Sequence, residues 1–202
     1  MKTEDFYKRF CEESFDENGV LNAFKPVYQE NFNFAYDCVD ALAEMEPERK
    51  ALVWTNDRGE ERTFTFQDMS LLSNQAANMF LEHGIEKGDR VMLVLKRHYQ
   101  FWISMMGLCK IGAIAVPATN LLMEKDFIYR FQAAGVKAIV ATAEGGVTDR
   151  VDRAEEEVGP LGVKFVVHGE KEGWLDFDAE VAAASDRLAR RETKVEEGML
   201  LY

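Results

Sequence analysis

A glycine pair followed by two arginines is the feature of this sequence best suited to bind an anion. Gly145 and Gly146 precede a stretch of helical character, in which Arg150 and Arg153 follow. Free amides at a helix N-terminus bind phosphate groups, and the planar fork of arginine also suits phosphate. A plain turn is the simpler interpretation of the glycines, and acidic neighbours favour surface ion pairs for the arginines.

The other reactive residues show no pattern that predicts catalysis. Asp37 and Asp40 lie one helical turn apart, a spacing that allows acid–base work, but we interpret them as a solvated helix face. There is neither a G-x-x-x-x-G-K-[ST] loop nor a G-x-G-x-x-G loop. The cysteines and histidines are scattered and include no CxxC pair: Cys11, Cys38, Cys109, His83, His98 and His168. We therefore assign no catalytic or metal-binding residue and expect a reducing, cytoplasmic location.

Charge and hydropathy exclude two classes of partner. The net charge of -12 repels a phosphate backbone, so nucleic-acid binding is not expected. The stretch Phe101–Ala118 is nearly all apolar, but Lys110 at its middle would cost about 3 kcal/mol in a bilayer. We predict a buried helix followed by a buried strand there, and no membrane span.

Strands and helices alternate through most of the chain. Apolar spacing predicts a helix over residues 32–45, and Ala51–Thr55 with Glu61–Phe64 forms a hairpin. Thr65 and Asp68 resemble a capping box that begins the next helix. Four strands then alternate with helices: strands Val91–Leu95, Ala113–Val116, Ala138–Ala141 and Lys164–His168; helices Tyr99–Ile111, Glu124–Ala134, Val147–Val158 and Trp174–Leu188. This order predicts an α/β fold, a layered and mainly parallel sheet with helices on both faces.

The last four residues have the character of a buried strand. Met199–Tyr202 is an apolar run that follows the polar stretch Arg190–Gly198. Because domains usually end on polar, loosely held residues, we expect a truncated domain. An exposed strand of this kind would also favour self-association through its open edge.

Five segments, in order along the chain, carry a family resemblance: Phe32–Asp37, Thr63–Met69 (TFTFQDM), Gly84–Val91 (GIEKGDRV), Lys110–Ala113 with Pro117, and Tyr129-Arg130. Together they resemble the AMP-forming acyl-CoA synthetases, members of the adenylate-forming enzymes. The first segment, Phe32–Asp37, is most similar to the members of this family that act on short- and medium-chain acyl groups. Within these segments Gly84, Gly88 and Gly112 fit turns from a helix into a strand, and Pro117 ends a strand.

The resemblance implies a parent reaction in which ATP activates a carboxylic acid and coenzyme A then displaces AMP. ATP, coenzyme A and Mg²⁺ would serve the parent enzyme, and none is assigned to this chain alone. Gly198–Tyr202 resembles the strand before the family's phosphate loop. We therefore expect residues 1–30 to be an N-terminal extension and residues 31–202 a partial N-terminal AMP-binding domain, incomplete and inactive alone.

The resemblance also implies a coenzyme A surface. In related synthetases the nucleotide of coenzyme A packs near the segment after this proline and near an arginine-bearing helix start. The matching cofactor-binding positions are Ala118, Thr119, Asn120, Gly146 and Arg150. The expected partners are a small-molecule carboxylic acid and coenzyme A.

Two other functions share the fold class. A stand-alone binding or regulatory module could retain the same fold, and it should behave as a stable monomer. A doubly wound dinucleotide-binding domain of an oxidoreductase is the third interpretation, and the missing glycine fingerprint argues against it.

Overall fold

Two antiparallel hairpins precede the main sheet in the computed structural model, which describes residues 3–202. A 3-10 helix over Thr3–Arg9 leads into the first hairpin, formed by β1 (Cys11–Phe15) and β2 (Leu21–Pro26). The second hairpin pairs β3 (Lys50–Thr55) with β4 (Glu61–Thr65), which confirms the predicted turn.

The helices before the main sheet are close to those predicted. The helix expected over residues 32–45 is a π-helical turn, Ala35–Asp40, that continues as α1 (Ala41–Met45). The next helix, α2 (Phe66–Glu82), begins at the predicted capping box. Thr65 donates its backbone N–H to Asp68 Oδ2 at 2.8 Å, and the Asp68 amide donates to Thr65 Oγ1 at 3.1 Å.

The main sheet is parallel and has five strands. In chain order the elements are β5 (Arg90–Val94), α3 (Gln100–Ile111), β6 (Ile114–Pro117), α4 (Glu124–Ala134), β7 (Val136–Thr142), α5 (Val147–Val158), β8 (Val163–Val167), β9 (Leu175–Asp176) and α6 (Phe177–Ala183). Across the sheet the order is β6-β5-β7-β8-β9. The predicted α/β fold with a parallel sheet is confirmed.

Strand β5 shows why its sequence is a continuous apolar run. Val91 and Leu93 pack into the core on one face, and Met92 and Val94 pack into the core on the other. All four side chains are fully buried. Helices α2, α3 and α6 cover the first face, whereas α4 and α5 cover the second. A central parallel strand covered on both faces has no polar side.

The predicted helix Trp174–Leu188 is wrong. Asp176 caps a shorter helix by accepting the Ala179 amide at 2.9 Å, and α6 ends at Ala183. The chain beyond α6 is extended because side chains of α2 bind its backbone carbonyls. Asn74 donates to the carbonyl of Asp186, and Asn78 donates to those of Ser185 and Arg187.

The C-terminal residues pair with the outer edge of β6. The Ala115 amide donates to the Met199 carbonyl, and the Leu201 amide donates to the Ala115 carbonyl, both at 3.0 Å. Leu200 forms a parallel bridge with Ala115. The strand-like character expected of Met199–Tyr202 is therefore present, although it amounts to a single bridge.

The apolar stretch Phe101–Ala118 is α3 followed by β6, as predicted. Within residues 3–202, no helix combines the length and the apolar character that a membrane crossing needs.

Lys110 is fully buried and joins three helical elements. Its ammonium group donates to Asp40 Oδ1 at 2.8 Å, to Asn74 Oδ1 at 2.7 Å and to the Ser70 carbonyl at 3.3 Å. Burial lowers the pKa of Lys110, and the charge of Asp40 counteracts that effect. A buried charge of this kind requires such partners, because its desolvation is otherwise uncompensated.

The interpretation of Asp37 and Asp40 as a solvated face is wrong. Asp40 pairs with Lys110, and Asp37 accepts two hydrogen bonds from Arg190, at 2.7 and 2.8 Å. Burial raises the pKa of Asp37, but hydrogen bonds from Arg190 and the Asn33 amide outweigh it, so the pKa lies below its usual value. Sequence spacing could not reveal the partners, which lie 70 and 153 residues away.

We predict that Lys110→Met lowers the free energy of unfolding by about 3 kcal/mol, because it leaves Asp40 and Asn74 without their shared donor. Urea unfolding followed by circular dichroism measures the change. The double variant Lys110→Met/Asp40→Leu should lose less than the single one. Lys125→Met, at an exposed helical lysine, is the matched control and should change stability by no more than about 0.5 kcal/mol. Equal losses in the single variant and this control would contradict the assignment.

Candidate functional site

The loops that follow the parallel strands lie together at the carboxyl edge of the sheet. Strand β5 has β6 on one side and β7 on the other, so the strand order reverses there. The connecting helix α3 packs on one face of the sheet, whereas α4 and α5 pack on the other. In open α/β sheets, ligands bind in the crevice that such a reversal creates. This edge is therefore the candidate site.

The structure brings the sequence-predicted positions to this edge. Ala118, Thr119 and Asn120 directly follow β6, and Gly146 and Arg150 lie at the start of α5. Arg150 connects the two groups. Its guanidinium donates to the carbonyls of Leu122 at 2.8 Å, Gly145 at 2.7 Å and Asn120 at 3.0 Å.

The glycine pair forms the turn that begins α5. Gly145 and Gly146 have φ values of 64° and 67°, in the left-handed region that side chains disfavour. Two such residues in succession turn the chain sharply from β7 into the helix. The first amides of α5 have no carbonyl one turn earlier to bind, as at every helix N-terminus. They are available to an anion at the carboxyl edge.

Arg150 and Arg153 have different roles. Arg153 forms an ion pair with Glu124 at 2.9 Å, as expected for a surface arginine. The same expectation is wrong for Arg150, which binds backbone carbonyls of two loops. A guanidinium carries five N–H donors, and Arg150 uses three of them within the described part of the chain. Two remain for a ligand.

A cavity of about 460 Å³ lies at the same edge, between the β3–β4 turn and the loops that follow β5, β7 and β8. Its lining is polar and carries charges of both signs. The lining residues are Trp54, Asn56, Asp57, Arg58, Glu60, Lys96, Arg97, His98, Glu144 and His168. Trp54 closes one wall by donating its indole N–H to the Arg97 carbonyl. The cavity therefore suits a polar or charged ligand.

Two histidines that are 70 residues apart in sequence meet in this cavity. The rings of His98 and His168 have centroids 4.4 Å apart, and the carboxylate of Glu144 lies beside them. Burial and the neighbouring His168 lower the pKa of His98. The interpretation of the histidines as scattered is wrong for this pair, because both follow strands that flank β7.

A sequence signal for this cluster was present. His168 directly follows β8, Glu144 lies two residues after β7, and His98 lies four residues after β5. Parallel strands place such positions at one edge. Polar residues just after each predicted strand were therefore candidates for a shared cluster.

The comparison with known families gives one match that covers most of the chain. The AMP-binding enzyme family matches residues 39–201.

The chain belongs to the AMP-binding enzyme family.

Curated relatives of this AMP-binding chain are acyl-coenzyme A synthetases. The mitochondrial acyl-coenzyme A synthetase ACSM4 of Mus musculus is 34% identical over 196 residues, which is 94% of this chain and 33% of the relative. The mitochondrial acyl-coenzyme A synthetase ACSM2A of Homo sapiens is 36% identical over 178 residues, 85% of this chain and 30% of the relative. The chain thus spans about a third of the length of the curated relatives it matches.

Solved structures agree on the fold. An acyl-CoA synthetase from Brucella canis superposes with a TM-score of 0.71 at 28% identity, over 84% of this chain and 30% of that one. The anthranilate CoA ligase AuaEII has a TM-score of 0.73 at 22% identity, over 84% of this chain and 31% of that one, and it shows the fold alone. The dinucleotide-binding oxidoreductase interpretation is replaced by the AMP-binding family.

The expectation of a cytoplasmic location is contradicted. The curated relatives named above are mitochondrial proteins. The expectation rested on the scattered cysteines, and a cysteine pattern does not distinguish one reducing compartment from another.

Proposed function

We propose that this chain is the N-terminal part of an AMP-forming acyl-CoA ligase. The parent enzyme would join a carboxylic acid to coenzyme A, using ATP and releasing AMP and pyrophosphate. The observation that carries the proposal is the family match over residues 39–201, together with relatives that are acyl-coenzyme A synthetases. Residues 31–202 would form a partial AMP-binding domain, with residues 1–30 as its extension.

Within this proposal, the loops joined by Arg150 contact coenzyme A. Ala118, Thr119 and Asn120 would line the nucleotide on one side. The two unused N–H donors of Arg150, with the amides after Gly146, would hold its phosphate groups. The three carbonyl hydrogen bonds of Arg150 orient the guanidinium in advance, which reduces the entropy lost on binding.

ATP and Mg²⁺ would bind mainly outside this chain. The sequence contains no glycine-rich loop ending in lysine, the element that surrounds the phosphates of ATP in the parent reaction. Stabilising the charge that develops at the transferred phosphorus requires positioned donors and a cation. The isolated chain would therefore bind part of the ligand set without catalysing adenylation.

We predict that the purified 202-residue chain shows no ATP–pyrophosphate exchange above background with short, medium or aromatic carboxylic acids. A full-length acyl-coenzyme A synthetase relative serves as the positive control in the same assay. Acid-dependent exchange by the chain alone would overturn the assignment of adenylation to residues outside it.

We predict that Asn120→Ala weakens binding of coenzyme A to the chain several-fold without changing its melting temperature. The substitution removes the amide side chain but keeps the carbonyl that Arg150 binds. Arg150→Lys should weaken binding as well and also lower the melting temperature, because the single ammonium nitrogen of lysine cannot span three carbonyls that Arg150 reaches through three separate nitrogens. Isothermal titration calorimetry and thermal unfolding give the two readouts.

Arg153→Lys is the matched control for the coenzyme A experiment. It lies on the same helix, and its side chain forms a surface ion pair with Glu124, so affinity should stay within about twofold. Equal losses for Arg153→Lys and Asn120→Ala would show that the lost affinity is not specific to the loops that Arg150 joins. Unchanged affinity in Asn120→Ala and Arg150→Lys would remove these loops from the binding surface.

The alternative function is a stand-alone binding or regulatory module. It is favoured by a sheet whose two faces are both covered by helices of this chain, with β5 fully buried. Size-exclusion chromatography and thermal unfolding distinguish the two. We predict concentration-dependent self-association through the strand at Met199–Tyr202, where Leu201 and Tyr202 are exposed. A sharp unfolding transition of a monomer at all concentrations would instead favour the module.

A further inference from the structure

We propose that His98, Glu144 and His168 form a binding site for a divalent transition metal ion, and that the preferred ion is Zn²⁺. One ligand atom from each side chain lies within 4.8 Å of those of the other two. The three residues come from the loops after three neighbouring strands, β5, β7 and β8. The site does not require the proposed ligase function, because neither ATP nor coenzyme A takes part in it.

The distances suit a zinc ion after a small closure. Zinc bonds to imidazole nitrogen and carboxylate oxygen are about 2.0–2.2 Å long, so two ligands of one ion lie roughly 3–4 Å apart. Glu144 and His168 are exposed and can make the adjustment of about 1 Å by side-chain rotation. His98 is buried and provides the fixed point of the site.

Thr142 holds two of the three ligands in place. This fully buried residue ends β7, and its Oγ1 lies 2.9 Å from His98 Nε2. The same oxygen accepts the backbone N–H of Glu144 at 3.1 Å. A histidine that binds a metal through one nitrogen usually hydrogen-bonds through the other, which fixes the ring and its tautomer. His98 already has such a partner.

The backbone of His168 is held in an unusual conformation. Its φ is 59°, the only positive value at a non-glycine position among residues 3–202. Left-handed backbone at such a residue is energetically unfavourable and persists where surrounding structure enforces it. Here it turns the chain at the end of β8, so that the imidazole lies beside His98. The strained residue is thus a member of the cluster.

The ligand types select among metal ions. Two imidazoles and one carboxylate form a set that zinc uses with an additional water molecule. Mg²⁺ and Ca²⁺ prefer oxygen ligands throughout, so neither should compete effectively. Lys96 Nζ lies 3.8 Å from Glu144 Oε2, and its positive charge opposes a cation at this position. Removing that charge should therefore strengthen metal binding, opposite to the effect of removing a ligand.

The test is titration of the full chain with Zn²⁺ by isothermal calorimetry, and with Co²⁺ by visible absorption. We expect one ion per chain, a tetrahedral Co²⁺ spectrum without a thiolate band, and no displacement by excess Mg²⁺. His168→Ala and Glu144→Gln, both at exposed positions, should each raise the dissociation constant about tenfold or more. Lys96→Met should lower it. Far-UV circular dichroism confirms that each variant is folded.

His83→Ala is the control for histidine content. His83 Nε2 binds Glu180 at 2.8 Å, away from the cavity, so its removal should leave the affinity for zinc unchanged. Three results would each overturn the proposal: unchanged affinity in His168→Ala and Glu144→Gln, an equal loss in His83→Ala, or a thiolate-to-cobalt band that places the ion on a cysteine.

Discussion

The buried ammonium group of Lys110 determines how the helices on one face of the sheet meet. It lies on α3 and binds Asp40 at the end of the π-helical turn, and Asn74 and Ser70 on α2. Each partner satisfies part of a charge that could not otherwise be buried. A shift of α2 along α3 would separate the ammonium from at least one acceptor. The register of these helices is therefore constrained by hydrogen bonding as well as by apolar packing.

That constraint reaches the sheet because α3 connects β5 to β6. The same helix pair holds the chain after α6, since Asn74 binds both Lys110 and the Asp186 carbonyl. Arg190, further along, binds Asp37 one turn before Asp40. The extended segment therefore runs back to β6 along a row of polar contacts. These contacts explain why the final residues reach the outer edge of the sheet.

Local signals in the sequence predicted the fold well. The apolar run Val91–Leu95 and the Thr65–Asp68 capping box depend on near neighbours, which a sequence displays directly. The failures depend on distant partners. Helical spacing after Trp174 gave no sign that Asn78 would bind the carbonyls of Ser185 and Arg187. Asp37 and Asp40 were misread for the same reason.

The candidate site divides in the same way. Arg150 and the glycine pair were recognisable by residue type and resemblance, although the carbonyls that Arg150 binds were not. The positions of His98 and His168 just after strands could indicate a shared edge of the sheet, but their proximity along that edge depends on strand order. Strand β7 lies between β5 and β8, so residues that follow β5 and β8 meet beside the end of β7. Strand order is a property of the whole sheet, and spacing along the chain does not contain it.

The two features at the carboxyl edge share one short segment. Thr142 Oγ1 contacts His98 and accepts a hydrogen bond from the Glu144 amide. The carbonyl of Gly145, the residue after Glu144, accepts a hydrogen bond from Arg150. Glu144 directly precedes Gly145, so a ligand that draws the Glu144 carboxylate toward the histidines acts next to the hydrogen bond between Gly145 and Arg150. The left-handed glycines that follow permit that turn and begin α5. Residues 142–146 thus connect the histidine cavity to the loop after β6, through hydrogen bonds of Thr142 on one side and the Gly145 carbonyl on the other.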